Sequence, residues 1–322
     1  AAPEASAGPS APAAPPTALA TASAQVDEPM FALPHFEPPF PTVAGEGDGT
    51  WVSVRDPGRV GEPARVFKTI VHPDKRRSFA GLAIIAMDLH AYELHLVAGT
   101  REPKTFRVHP KDRKGLVPAE DISKLFAAFN GGFKTTHGHY GMMLGGIEFL
   151  PPRGYACTFV RYQDGSFDIA VWSDIAKRKS EMSYYRQTPP CLVHGGKPHK
   201  QLHYHEYAKG WGATVSGDTV IRRSAIGLDR TRQVLFYGLG EAMTAQAMAR
   251  GMNAAGADAV AELDVNHSYP RFLFFDHDEK KGKLRATHAI IEAIEYTPDR
   301  YVERPAPRDF FYLTRRQRQA SR

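Results

Sequence analysis

Two carboxylates stand two residues apart in Glu262-Leu263-Asp264-Val265-Asn266-His267-Ser268. On a strand that spacing puts both on one face. Paired carboxylates can divide acid and base roles when their surroundings differ. Asp264 could also simply cap the turn that follows it. Upstream, Arg222 and Arg223 lead into the apolar stretch Ser224–Leu228. Arginine is seldom buried without a partner, and its planar fork matches phosphate or carboxylate. Alternation lets only one of the two face a given side of a sheet. Arg223 is the candidate, either for an anionic ligand or for an ion pair with Asp229 or Glu241. A third constellation is Asn130-Gly131-Gly132 between Phe129 and Phe133. Adjacent glycines permit positive φ and close backbone approach, and their N–H groups can face an anion. The same pair also fits a plain tight turn.

His137 and His139 are spaced i,i+2, as are His203 and His205, with His194 and His199 nearby. On a strand such pairs share a face and, with Asp264, could hold one metal ion. Their surroundings are rich in Gly and Lys and read as loops. They are therefore expected at the rim of a site, and no metal or cofactor is expected.

These residues need elements to position them. Gln233–Leu239 reads as a strand, Thr244 caps a helix over 245–255, Gly256 stops it, and Ala259–Leu263 reads as a second strand. Strand, crossover helix and strand make a βαβ unit, whose ligands gather beyond the carboxyl ends of the strands. That places Asp264 to Ser268 at the ligand edge. Earlier in the chain, Trp51–Val54 and 64–71 alternate as strands do. Leu82–Asp88 and 92–98 read as a strand pair around a turn near His90. Asp121–Phe129 reads as a short helix. Phe159–Tyr162 and Phe167–Trp172 flank Asp164-Gly165, a hairpin turn signal. Phe272–Phe275 and Ile290–Tyr296 read as further strands. The expected class is α+β: a mixed, β-rich sheet core with a C-terminal βαβ unit and short helices.

The chain has 322 residues, 42% of them apolar, which is enough for a sizeable core. No apolar run is long enough to span a bilayer. Residues 1–28 are mostly Ala, Pro, Ser, Thr and Gly and read as a disordered linker. Residues 29–49 read as an extended Pro-rich arm, 50–313 as the folded domain and 314–322 as a basic tail. The formal charge of +6 owes much to Arg315, Arg316, Arg318 and Arg322, which have no acidic neighbour in sequence. No zinc-finger spacing or basic–aromatic signature accompanies them, so nucleic acid is not an expected partner. Cys157 and Cys191 are the only cysteines. They read either as one disulfide in an oxidising compartment or as two unrelated buried thiols.

Three stretches in one order, Asn130-Gly131-Gly132-Phe133, Arg223-Ser224-Ala225-Ile226-Gly227 and Leu263-Asp264-x-x-x-Ser268, resemble the phosphodiester glycosidase family. The resemblance spans Phe67 to Tyr296. It implies an exported hydrolase that cleaves a sugar-1-phosphodiester on a glycan or cell-envelope polymer, without a cofactor. By that resemblance Asp264 and Arg223 are catalytic candidates, and Glu262 joins them as the second carboxylate on the same strand face. Arg223 and the Gly131 and Gly132 N–H groups would hold phosphate. Asn130, Asn266, His267 and Ser268 would contact substrate, and His137 and His139, from their place at the rim, are added as further substrate-contact candidates. The family has three glycines where this chain has Val265-Asn266-His267, so Asn266 and His267 are expected to replace contacts made there by bare backbone. Two alternatives stand beside this reading: a non-catalytic glycan or envelope binder of the same fold, and a metal-dependent hydrolase built on the His-x-His pairs.

Overall fold

A computed structural model of the chain describes residues 31–317. The 1–28 linker and Arg318 and Arg322 lie outside the described residues. The strands in chain order are β1 (Val52–Ser53), β2 (Val66–Val71), β3 (Leu82–Asp88), β4 (Tyr92–Val97), β5 (Leu125–Asn130) and β6 (Met142–Leu144). Then come β7 (Ile147–Leu150), β8 (Cys157–Tyr162), β9 (Phe167–Val171), β10 (Met182–Thr188), β11 (Val193–His194) and β12 (Lys197–Pro198). The last are β13 (Ile221–Leu228), β14 (Val234–Met243), β15 (Ala259–Glu262), β16 (Phe272–Asp278), β17 (Lys283–Ala289) and β18 (Phe310–Arg315). The α-helices are α1 (Trp172–Ile175) and α2 (Ala245–Ala254), and short 3-10 turns fill several connections.

The strands form three antiparallel sheets. The large one runs β1-β2-β3-β14-β13-β15-β11-β12, and the two smaller ones run β17-β16-β5-β18-β4 and β7-β6-β10-β8-β9. The fold is α+β and β-rich, with few short helices. The expected βαβ unit takes a particular form. β14 and β15 each pair antiparallel with β13, so they are parallel to each other with β13 between them. Thr244 caps α2 through its Oγ1, which accepts from the Ala247 N–H at 3.0 Å. Gly256 follows at φ +104°, the left-handed geometry a helix stop requires. Met248 and Met252 face the sheet, where Gly227 and Gly238 leave room for them: a Cβ on Gly238 would stand 2.5 Å from the Met252 sulfur.

Four expectations are corrected. Residues 121–129 are not a helix: a 3-10 turn over Ala119–Lys124 leads into β5, which is buried at every position. β3 and β4 do not pair; β3 joins β2 and β14, whereas β4 joins β18 in another sheet. Ile290–Tyr296 is not a strand, and the partner of β16 is β17, just before it. Thr314 and Arg315 belong to β18 and not to a tail, and Arg315 has an acidic partner, donating to Asp56 at 2.7 Å.

A main core draws on all three sheets, with Ile85, Ile226 and Leu235 from the large one, Phe126, Phe129, Phe272 and Phe311 from the second, and Phe159, Ile169 and Tyr184 from the third. Cys157 and Cys191 are joined by a disulfide, which ties β8 to the segment that enters β11. Phe31 packs on Phe67 and Phe36 on Trp51, against the large sheet. Among the described residues no helix is long and apolar enough to cross a membrane.

Candidate active site

The carboxyl end of β15 meets the end of β5 and the start of β18. Asn130, the last residue of β5, is fully buried and saturates its amide. Its Nδ2 donates to Ser224 Oγ at 2.9 Å and to Gly131 O at 3.2 Å. Its Oδ1 accepts from the Tyr237 hydroxyl at 2.8 Å and the Arg271 N–H at 3.1 Å. Ser224 Oγ donates onward to Asp264 O at 3.1 Å, and Asp264 N–H donates to Gly131 O at 3.0 Å. A short chain of hydrogen bonds thus joins Asn130 to Asp264, with Arg223 beside Ser224. The three conjectured elements come together, but several roles differ from those expected.

Gly131 and Gly132 do not present their N–H groups to a ligand. Gly131 donates to Asp309 O at 3.0 Å, and Gly132 donates to Asp309 Oδ2 at 2.9 Å. The same carboxylate takes Arg186 Nε at 2.8 Å and Nη2 at 3.2 Å, and both side chains are buried. Arg186 spends its other donors on the carbonyls of Phe133, Tyr140 and Gln187. Glycine is required for close approach: a Cβ on Gly131 would lie 2.2 Å from Asp309 Oδ2, and one on Gly132 2.7 Å from Arg186 Cζ.

Arg223 is no phosphate reader either. Its guanidinium is completely buried and all five N–H groups are used. Nε donates to Met243 O, Nη1 to Trp211 O and Glu262 Oε1, and Nη2 to Gly212 O and Thr219 O. The partner is thus Glu262 rather than Asp229 or Glu241, and the residue clamps the 211–219 loop onto the sheet. Arg222, on the other side of the strand, pairs with Glu241 and donates to His267 O. Glu262 is equally buried, and its Oε2 has no partner. Burial pushes its carboxyl up to about 7, against the lowering pull of Arg223.

Asp264, two residues beyond the end of β15, is buried. Its Oδ1 accepts the Asn266 N–H at 2.9 Å, and its Oδ2 pairs with Arg308. Burial raises its pKa, outweighing the attraction of Arg308. Arg308 immediately precedes Asp309 and β18. Its guanidinium lies over the Tyr269 ring, 4.5 Å from the centroid. Nη1 is the nitrogen engaged with Asp264; Nε and Nη2 make no hydrogen bond with the described residues. Arg308 and the Arg186–Asp309 pair were missed by the sequence reading. The available signal was Arg308-Asp309, two charges leading straight into the apolar run Phe310–Leu313.

Beyond Asp264 the loop divides. Val265 is buried with Phe133, Tyr140 and Ala156, and its Cγ2 lies 2.7 Å from where a Gly212 Cβ would be. Asn266 is half-buried and accepts from the Ser268 hydroxyl at 3.1 Å, while His267 and Ser268 are exposed. His137 and His139 are exposed in the turn after Phe133, and no contact ties their imidazoles to Asp264. His203 bonds Gln246 at 3.2 Å and His199 packs on Trp211. Among the described residues no group of three or more His, Cys, Asp or Glu could hold a metal ion.

No family model matches the chain, and neither does any curated protein. Among solved structures, the catalytic domain of zebrafish N-acetylglucosamine-1-phosphodiester alpha-N-acetylglucosaminidase, auto-inhibited by pro-peptide, is similar at a TM-score of 0.47 and 15% identity, over 84% of this chain and 89% of that one. A hypothetical protein from Synechocystis gives 0.43 and 10%, over 78% of this chain and 62% of that one. A candidate exported protein from Burkholderia pseudomallei gives 0.32 and 10%, over 79% and 75%. These are likenesses of chain trace alone and assign nothing to any residue.

Proposed function

We propose that the chain is an exported hydrolase of sugar phosphodiesters, with Asp264 and Arg308 at its reacting centre. The observation that carries this reading is the asymmetry of that pair. Asp264 is buried and held by Gly131 and Ser224, whereas Arg308 keeps two donors free beside it. A phosphodiester monoanion needs a planar pair of donors, which Nε and Nη2 of Arg308 offer. The departing phosphate ester is already a good leaving group, so stabilising charge matters more than donating a proton. Asp264 then faces the developing oxocarbenium ion, as nucleophile, base or counter-charge. Asn266 Nδ2 and the His267 imidazole supply hydrogen bonds to sugar hydroxyls. Asn130, Arg223 and Glu262 act as positioning residues beneath them. The Cys157–Cys191 disulfide supports an oxidising compartment, hence export.

The test is hydrolysis of the benzyl diester of glucose 1-phosphate in ¹⁸O water, with and without chelator. Glycosidic cleavage places ¹⁸O on the sugar and none on the phosphate. Arg308→Ala is expected to lower kcat/KM by about 10²–10³-fold, the usual scale for one charge-stabilising donor. Arg308→Lys should recover little of it. Label on phosphate, or full activity in Arg308→Ala, would reject the assignment. A second reading, a glycan binder without turnover, is favoured by Val265 packed against Gly212, which fills space that glycines would leave. Sugar-phosphate binding without hydrolysis, abolished in Arg308→Ala, would select it.

A further inference from the structure

A cleft of about 440 Å³ opens between the edge of the large sheet and the edge of the β5 sheet. This is within the size range of small-ligand pockets. One wall carries Arg55, just after β1, and Lys68 of β2; the other carries Asp276 of β16 and His288 of β17. The floor is apolar, made by Ile85, Phe126 and Phe274. Arg55 and Lys68 are exposed, and neither has an ion-pair or hydrogen-bond partner among the described residues. By contrast, Arg65 and Arg59 in the same region reach Asp88 and Glu62.

Two unpaired cations and one carboxylate leave the rim with one net positive charge. His288 does not add to it. Its ring is stacked on Phe274 at 4.5 Å, Nδ1 bonds Thr287 Oγ1 at 3.0 Å, and burial together with Lys68 lowers its pKa. The neutral imidazole extends the flat surface begun by Phe274. A cationic rim above an aromatic floor suits an anion with a flat, apolar body. Such a ligand loses little conformational entropy on binding, and its charge sits at the rim where it remains partly hydrated.

We propose that this cleft between β2 and β17 is a second ligand site that takes a small aromatic monoanion, an aryl carboxylate. The site is independent of Asp264 and Arg308. The probe is 2-naphthoate, titrated calorimetrically into the full chain, with 2-naphthalenemethanol as the neutral analogue. The carboxylate is expected to bind at least tenfold more tightly than the alcohol. Arg55→Gln with Lys68→Gln should remove that advantage, and Asp276→Asn should strengthen binding two- to threefold. Arg55 and Lys68 are exposed, so the double variant should keep the wild-type thermal midpoint, which is measured alongside. Arg308→Ala should bind naphthoate as the wild type does. Equal affinity for acid and alcohol, or binding unchanged in the Arg55/Lys68 variant, overturns the proposal. Loss of naphthoate binding in Arg308→Ala would place the ligand at Asp264 and overturn it as well.

Discussion

Arg223 shows how a residue type can be right while its role is wrong. An arginine in an apolar strand does demand partners, and Arg223 finds five acceptors. Four are backbone carbonyls, which no side-chain pattern announces, so the sequence shows the demand but not how it is met. The pair it forms with Glu262 can be tested by pH. Glu262 titrates near 7 in the fold, because burial disfavours its charge more than Arg223 favours it. Its unfolded value is near 4.3. Between those values the folded state binds more protons, so its contribution to stability falls as pH rises from about 4.5 to about 7 and is flat beyond. The part of that shift crossed between pH 5 and pH 8 corresponds to roughly 2.5 kcal/mol. Glu262→Gln removes this titration. The stability of the variant relative to wild type, from urea unfolding at pH 5 and pH 8, should therefore improve by about that amount at the higher pH. A difference that moves the other way would mean that the ionised pair is net stabilising.

Among the elements, what could be read from the sequence depended on local pattern. The β8–β9 hairpin and the β14–α2–β15 crossover carry local signals, Asp164-Gly165 in one and Thr244 with Gly256 in the other, and all of these serve as expected. β5 misled because Leu125–Asn130 is buried on both faces, and a short continuous apolar run fits a helix as well as a strand. β17 was hidden because its outward residues, Arg285, Thr287 and His288 among them, interrupt the apolar pattern. Pairing across sheets, as for β3 and β4, is set by distant strands. Two predictions belong here. Gly131→Ala places a methyl against Asp309 backbone, which cannot turn aside, so it should cost about 1–3 kcal/mol by thermal unfolding. A wild-type midpoint would show that the junction of β5 and β18 can open. The disulfide closes 34 residues of chain, so Cys157→Ala with Cys191→Ala should lose about 3–4 kcal/mol to loop entropy. A loss below about 1 kcal/mol would mean that the unfolded chain is already compact there.

For residues 31–317 taken together, the question is whether three sheets behave as one folding unit. The sheets are separate in hydrogen bonding but not in packing. Phe159 of β8 meets Phe311 of β18 at 5.5 Å, and Phe129 of β5 meets Tyr237 of β14 at 4.9 Å. Charged contacts follow the same routes: Arg186 of β10 reaches Asp309 beside β18, and Arg232 before β14 bridges Asp168 and Asp258. The β10 sheet does have a small core of its own around Val160, Trp172 and Tyr185. That core is one place where partial unfolding could begin. It is nonetheless expected to melt with the rest, because the other face of the sheet, with Phe159, Ile169 and Tyr184, lies in the main core. Exposing that face while the remainder stayed folded would strip several large apolar side chains of cover, at about 1.5–3 kcal/mol each. Calorimetry should therefore give one transition with a calorimetric-to-van't Hoff enthalpy ratio near 1. Fluorescence of Trp172, isolated by Trp51→Phe and Trp211→Phe, should share its midpoint with far-ultraviolet dichroism. If Trp172 is released several degrees earlier, the β10 sheet is an autonomous unit and its satellite core outweighs its shared face.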